Sequence, residues 1–394
     1  MKGMALVFPP VRRFLAALCG LMGASVLAVS AFPANAMGTL PTEGKTALAA
    51  HSTVAPPFDT TETKLFTVAL AKTAAEREKV AQYWQPERIK RAESYTPAGP
   101  GAKVGPTSSP TASTPAPTKP ATPSLAEAGT SVGAGMPAKG SAPITPKTVG
   151  KVFFKFNNKE YWCSATSVEA KNRSLVATAG HCAYDVRRYE AAQYWIFIPS
   201  PESGIEGGIY VGHTLTMHED FPGKGDYDHD YAFVTVHKGF TWSEQKDAKG
   251  AVTYKRTEVG RLQDKVGGLK VLTSRGAGNQ TQTFGYPSGP QPDGSRPFNG
   301  RTVHVCSGRT TVTKSPTYLL NNGLMIGNCM FSAGASGGPW VVDYNPATGS
   351  GFLNGINSLS WNLKVDGRFD AISSSYFGAY TLAAYRHAEK IALP

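Results

Sequence analysis

From residue 149 onward, apolar and polar positions fall into short runs interrupted by Gly, Asn and Pro: residues 151–156, 174–179, 194–198, 231–236, 268–273, 281–285, 302–306 and 340–343. Short runs rich in β-branched and aromatic residues, bounded by turn formers, predict β-strands. So many in succession predict an all-β barrel or sandwich. One helix is expected in this part, over residues 382–391, where Leu382, Tyr385 and Ile391 would pack on one barrel.

The pattern upstream is different. Lys2, Arg12 and Arg13 flank an apolar stretch over residues 14–30, and Ala34-Asn35-Ala36 follows. This order of charge, apolar run and small residues predicts an export signal over 1–36, and with it a secreted, extracellular protein with no stable membrane anchor. Residues 37–63 are polar. Residues 64–83 are rich in Ala, Glu and Lys and predict a helix that ends before Pro86. Residues 96–147 are mostly Pro, Ala, Thr, Ser and Gly, with too little apolar surface to offset the entropy of ordering. The expected organisation is therefore a signal at 1–36, a pro-segment with a flexible linker at 37–148, and a folded body at 149–394.

The chain of 394 residues carries a formal charge of +12, which invites a nucleic-acid reading. Its basic residues stand singly and form no stripe with interleaved aromatics, so that reading is excluded. Residues 1–150 hold 15 of the 40 basic and 8 of the 28 acidic residues, so more than half of the excess lies upstream of the body. Apart from Cys19 in the signal, four cysteines remain: Cys163, Cys182, Cys306 and Cys329. An even number in an exported chain predicts disulfides. Of the three pairings, the local ones, Cys163–Cys182 and Cys306–Cys329, are favoured; no CxxC supports a zinc site.

Three segments carry candidate chemistry. Ala177-Thr178-Ala179-Gly180-His181-Cys182 ends an apolar run, and its small residues permit a short turn that holds an imidazole able to take and return a proton near neutral pH. Asp228-His229-Asp230-Tyr231-Ala232-Phe233 sets an acid directly before a strand. Asp226 and Asp228 are rivals, but Asp230 abuts the strand and is favoured to orient His181 and stabilise its charged form. Gly334-Ala335-Ser336-Gly337-Gly338-Pro339 places one serine on a tight turn, where the N–H groups of Gly334 and Ser336 would converge on a developing oxyanion. His213, His218 and His229 lie near Glu219, Asp220 and Asp226, but their spacing fits no strong zinc motif, so no catalytic metal and no cofactor are expected; structural calcium stays open, because backbone carbonyls can supply ligands that sequence does not reveal.

Together these segments resemble the signature motifs of the trypsin-like serine peptidases, and more closely the secreted bacterial branch with glutamyl endopeptidase-like enzymes. The resemblance covers residues 149–394. It implies two packed six-stranded antiparallel β-barrels with a catalytic cleft between them, and a C-terminal helix. Tyr83-Trp84-Gln85-Pro86-Glu87-Arg88 resembles the leader region of secreted actinobacterial members. Where animal trypsins carry an aspartate before the nucleophile, this chain has Ala335, which implies another route of maturation from a zymogen. The same resemblance puts Met330 and Phe331 at the base of the substrate pocket. It puts Asn357, Ser358 and Leu359 on the strand facing the substrate, and Gly378 on the pocket wall. None is acidic, which disfavours specificity for Lys or Arg, and Asn357 stands where glutamate-specific relatives have histidine. The function implied is a monomeric serine endopeptidase acting on protein or peptide through His181, Asp230 and Ser336. The alternative is an inactive fold that binds protein or cell-wall material.

Overall fold

A computed structural model describes residues 64–97 and 145–394. The expected signal and the Pro-rich linker lie outside these residues, except for the linker's edges at 96–97 and 145–147. Among the described residues no helix is long and apolar enough to cross a membrane.

Six antiparallel strands close a barrel. In order around it they are Tyr210–His218, Ala232–Val236, Leu175–Thr178, Lys159–Val168, Val149–Phe156 and Gln193–Pro199, which pairs back to Tyr210–His218. The ring closes because alternate residues of each run can turn inward together. Val234 stands opposite both Val176 and Leu215, and all three are fully buried.

Among the described residues the second six-stranded ring that the resemblance implied is not seen as one closed sheet. Beyond the barrel sheet the strands make a hairpin of Gly239–Lys246 with Val252–Gly260, a short pair of Tyr184–Asp185 with Glu190–Ala191, and two larger sheets. One orders Lys270–Val271, Ser350–Ile356, Pro339–Asn345, Gln280–Gly285 and His304–Arg309; the other orders Thr311–Ser315, Leu320–Gly327, Ala371–Ser375 and Ser360–Trp361. Leu324, Ile326 and Ile372 of the second sheet share a buried cluster with Trp340 of the first, and Cys306–Cys329 ties the two together. Register shifts bend the ladders within each sheet, at Trp340/Val341, Val342/Asn345 and Thr313/Ser315. Where the two sheets meet, the Ile356 N–H donates to the Ser374 hydroxyl, the Ser358 N–H to the Ser373 carbonyl and the Ser373 N–H to the Leu359 carbonyl.

The helix predicted over 382–391 forms at Ala379–Ala388, three residues earlier. It buries Thr381, Ala384 and Ala388, and Tyr385 stacks at a tilt on Phe233, 5.8 Å between ring centres.

The larger departure concerns residues 64–97, which fold onto the barrel. Near its start the predicted helix instead forms a strand, Leu65–Ala69, that extends the sheet antiparallel to Tyr210–His218 and sets Val68 opposite Leu215. The free edge of a buried apolar strand outweighs local helix propensity here. The helix proper, Ala74–Tyr83, begins at a capping box: the Glu76 N–H donates to Thr73 Oγ1, and the Thr73 N–H donates to Glu76 Oε2. Trp84 follows, fully buried against Phe153, with its indole N–H donating to the Tyr194 carbonyl. Glu160 closes the attachment with Arg88, Arg91 and Tyr83.

Candidate active site

Asp230 begins where the Tyr227–His229 turn meets the Ala232–Val236 strand, and its side chain is fully buried. Its carboxylate accepts the main-chain N–H of His181 at 2.9 Å on Oδ1 and the Ser358 hydroxyl at 2.6 Å on Oδ2. His181 Nδ1 lies 2.9 Å from Oδ2 and 3.1 Å from Oδ1. A carboxylate held this way keeps the proton of a neutral imidazole on Nδ1, which leaves the Nε2 lone pair free as a base. Nε2 is buried and has no hydrogen-bond partner among the described residues.

The local sequence explains the turn at His181. Gly180 has no room for a side chain, because a Cβ there would sit 2.9 Å from the Phe221 ring and 3.2 Å from Asp230 Oδ1. Cys182 is bonded to Cys163 on the neighbouring Lys159–Val168 strand. The rival acids are used elsewhere. Asp226 accepts the Asp228 N–H, and Asp228 accepts the N–H groups of Asn321 and Asn322.

Ser336 sits on a turn between two glycines with left-handed backbone, Gly334 at φ 96° and Gly337 at φ 82°. A Cβ on Gly337 would come within 2.1 Å of Thr178 Oγ1 and 3.0 Å of the Ala179 nitrogen, so the serine turn packs directly on the strand that leads to His181. The Ser336 carbonyl accepts the Ser164 N–H at 2.8 Å, and Ser164 Oγ donates to the Gly334 carbonyl at 2.7 Å. The N–H groups of Ala335, Gly337 and Gly338 are taken by Ser332, Asn357 and Ala335 carbonyls. Among the described residues those of Gly334 and Ser336 have no protein acceptor.

The pocket residues named from sequence divide in two. Asn357 is fully buried and uses its whole amide internally. Its oxygen accepts from Thr283 Oγ1 at 2.6 Å and Trp340 Nε1 at 2.8 Å, and its nitrogen donates to the Phe284 and Ala335 carbonyls. No donor or acceptor is left for a ligand. Phe331 is buried in the second cluster, Leu359 is buried, and Gly378 precedes the terminal helix and donates its N–H to Thr381. Met330 is half-buried, and its carbonyl accepts from Gln291. Ser358, expected on the strand facing the substrate, points its hydroxyl at Asp230.

Sequence reading missed Ser164, whose only local mark is its position after Cys163, and two tyrosines that flank the imidazole. Tyr227 lies 6.3 Å from the His181 ring at a 25° tilt, and Tyr95 lies 6.2 Å away at 30°. Burial raises the phenol pKa of both above its usual range, which keeps uncharged rings beside the imidazole.

No family model matches the chain, and no curated protein matches it. Among solved structures, a thermostable serine protease, AL20, from an extremophilic microorganism is 27% identical over 63% of this chain and 99% of its own, with a TM-score of 0.50. Protease Anisep from Arthrobacter nicotinovorans is 26% identical over 64% and 98%, also at 0.50. A Glu endopeptidase matches at 14% identity and a TM-score of 0.42, which assigns no branch.

Proposed function

The chain is a member of the trypsin-like serine-protease superfamily, and from that premise we propose that it is a secreted serine endopeptidase whose nucleophile is Ser336. The observation that carries the proposal is the buried His181–Asp230 pair packed beside a serine turn whose two flanking N–H groups are unspent. In this reading His181 Nε2 takes the Ser336 proton as Oγ attacks a peptide carbonyl. The developing oxyanion is held by the N–H groups of Gly334 and Ser336. His181 returns the proton to the leaving amine, and water then hydrolyses the acyl-enzyme by the same steps. His181 Nε2 has no hydrogen-bond partner among the described residues, and catalytic hydrogen bonds of this kind tighten when substrate is bound. The absence of an acid among Met330, Phe331, Asn357, Ser358, Leu359 and Gly378 supports a preference other than Lys or Arg. The signal-like residues 1–36 and the two disulfides support export.

A fluorophosphonate probe tests the reading. Labelling is expected in the mature protein and in Ser332→Ala, since the Ser332 hydroxyl is buried and bound to the Gly289 carbonyl. It is expected to vanish in Ser336→Ala. Folded mature protein that never labels would favour a binding role for the fold.

A further inference from the structure

A cavity of about 1040 Å³ opens between the docked leader, at residues 89–96, and the loop at 288–302. Its floor is the outer face of the barrel, where Phe153 stands opposite Trp162. Four basic side chains line it, Lys90, Lys151, Arg296 and Arg301, against two acidic ones, Glu93 and Glu202. Lys151 is anchored over the Trp162 ring at 3.9 Å and donates to the Gly300 carbonyl. Arg296 donates to the Ser288 carbonyl, and neither Arg296 nor Arg301 forms an ion pair among the described residues. Lys90 is paired with Glu87 at 2.9 Å, so the cavity's excess of positive charge rests on Lys151, Arg296 and Arg301 against Glu93 and Glu202.

The cavity adjoins the serine turn. The Trp162 ring lies against Gly334, where an added Cβ would approach it to 2.5 Å, and the Ser288 and Gly289 N–H groups both donate to the Ala333 carbonyl at 2.9 Å. It also lies on the His181 side, since Ser94 and Thr96 line it and Tyr95 between them has its ring 6.2 Å from the His181 ring. The residue that protonates the leaving amine marks the side on which the leaving peptide departs. An extended peptide would ordinarily pair with the strand edge at Tyr161–Trp162. That edge is filled by Glu93–Ser94, and the Tyr95 N–H donates to the Trp162 carbonyl at 3.0 Å. With that edge taken, the cavity is the recess that adjoins the turn.

We propose that the leader is a working wall of the protein, and that the basic groove it forms with the 288–302 loop binds acidic residues on the leaving-group side of the scissile bond. The leaving-group role rests on the peptidase reading; the ligand class does not. Opposite charge at a partly enclosed site raises both affinity and encounter rate, and the effect falls with salt.

Fluorescein-labelled hexaglutamate and hexaglutamine peptides, titrated by anisotropy against Ser336→Ala protein, test binding with no turnover. The glutamate probe is expected to bind about tenfold tighter than the glutamine probe at low salt, with the difference collapsing near 0.5 M NaCl. Arg296→Gln with Arg301→Gln should abolish the difference, and Glu93→Lys, an exposed position, should widen it. Equal affinity of the two probes, or indifference to both sets of substitutions, overturns the proposal. With active protein, quenched peptides carrying Glu in place of Gln at the second and third positions after the cleaved bond should show about fivefold higher kcat/KM. Selective binding without that gain would overturn the leaving-group placement. Failure of Ser336 to label would count against the peptidase reading and leave the binding result intact.

Discussion

Three donors converge on the Asp230 carboxylate: the His181 main chain, the His181 ring and the Ser358 hydroxyl. Loss of the negative charge disturbs all three at once, whereas loss of the serine removes only one. Asp230→Asn is therefore expected to lower kcat about 10⁴-fold with KM little changed. Ser358→Ala removes one hydrogen bond to a buried carboxylate, worth about 1.5–3 kcal/mol, and should lower kcat about tenfold or more. Steady-state kinetics of the two variants on one peptide would read the difference. If both changed KM alone, these groups would be serving substrate binding. Asn357 shows the opposite case at the same scale. Its position suggested a ligand contact, but a buried amide must spend its donors and acceptors nearby, and Thr283, Trp340, Phe284 and Ala335 take all of them.

At the scale of elements, the leader behaves as part of the barrel. Trp84 fills a fully buried position, Leu65–Ala69 supplies a strand, and Arg77 reaches Glu258 across the surface at 2.8 Å. Trp84→Ala would leave a large cavity and is expected to cost about 3–5 kcal/mol. This would appear as a lower urea midpoint and as faster proteolysis at residues 64–97. An unchanged midpoint would mean that the segment is dispensable to the fold. The Glu160 clamp adds an ionic component. Its carboxyl is held down to about 2, chiefly by the Arg91 guanidinium. Because the folded pKa lies below the unfolded one, this contribution is complete above about pH 4.5 and fades as pH falls toward about 2.

At the scale of the whole molecule, the histidines set the response to acid. Burial lowers the pKa of His213, His218, His229 and His237, and it brings His218 down to about 4. The folded chain holds these rings neutral, whereas an unfolded chain takes up protons as pH drops through about 6.5. The unfolded state then binds more protons, so stability is fully present above about pH 6.5 and declines toward about pH 4. A Tm series from pH 8 to pH 4 is expected to fall mainly in this window, and His218→Gln should flatten part of the slope. A Tm independent of pH between 6.5 and 4 would contradict the burial of these rings. The Glu160 clamp persists to lower pH, so the barrel should loosen before the leader's ion pairs do.

Local composition by itself determined much of this molecule. Short β-prone runs announced an all-β body, small residues around His181 and Ser336 announced tight turns, and an acid against a strand announced Asp230. These features are legible because turn geometry and strand periodicity act over a few residues. Tertiary structure alone decided the rest: the division of the second half into two larger sheets, the strand at Leu65–Ala69, the docking of Trp84 and Tyr95, and the turning of Ser358 toward Asp230. Each depends on a partner far along the chain. The free energy of filling a distant sheet edge or satisfying a buried polar group exceeds the few tenths of a kcal/mol by which local propensity distinguishes one conformation from another.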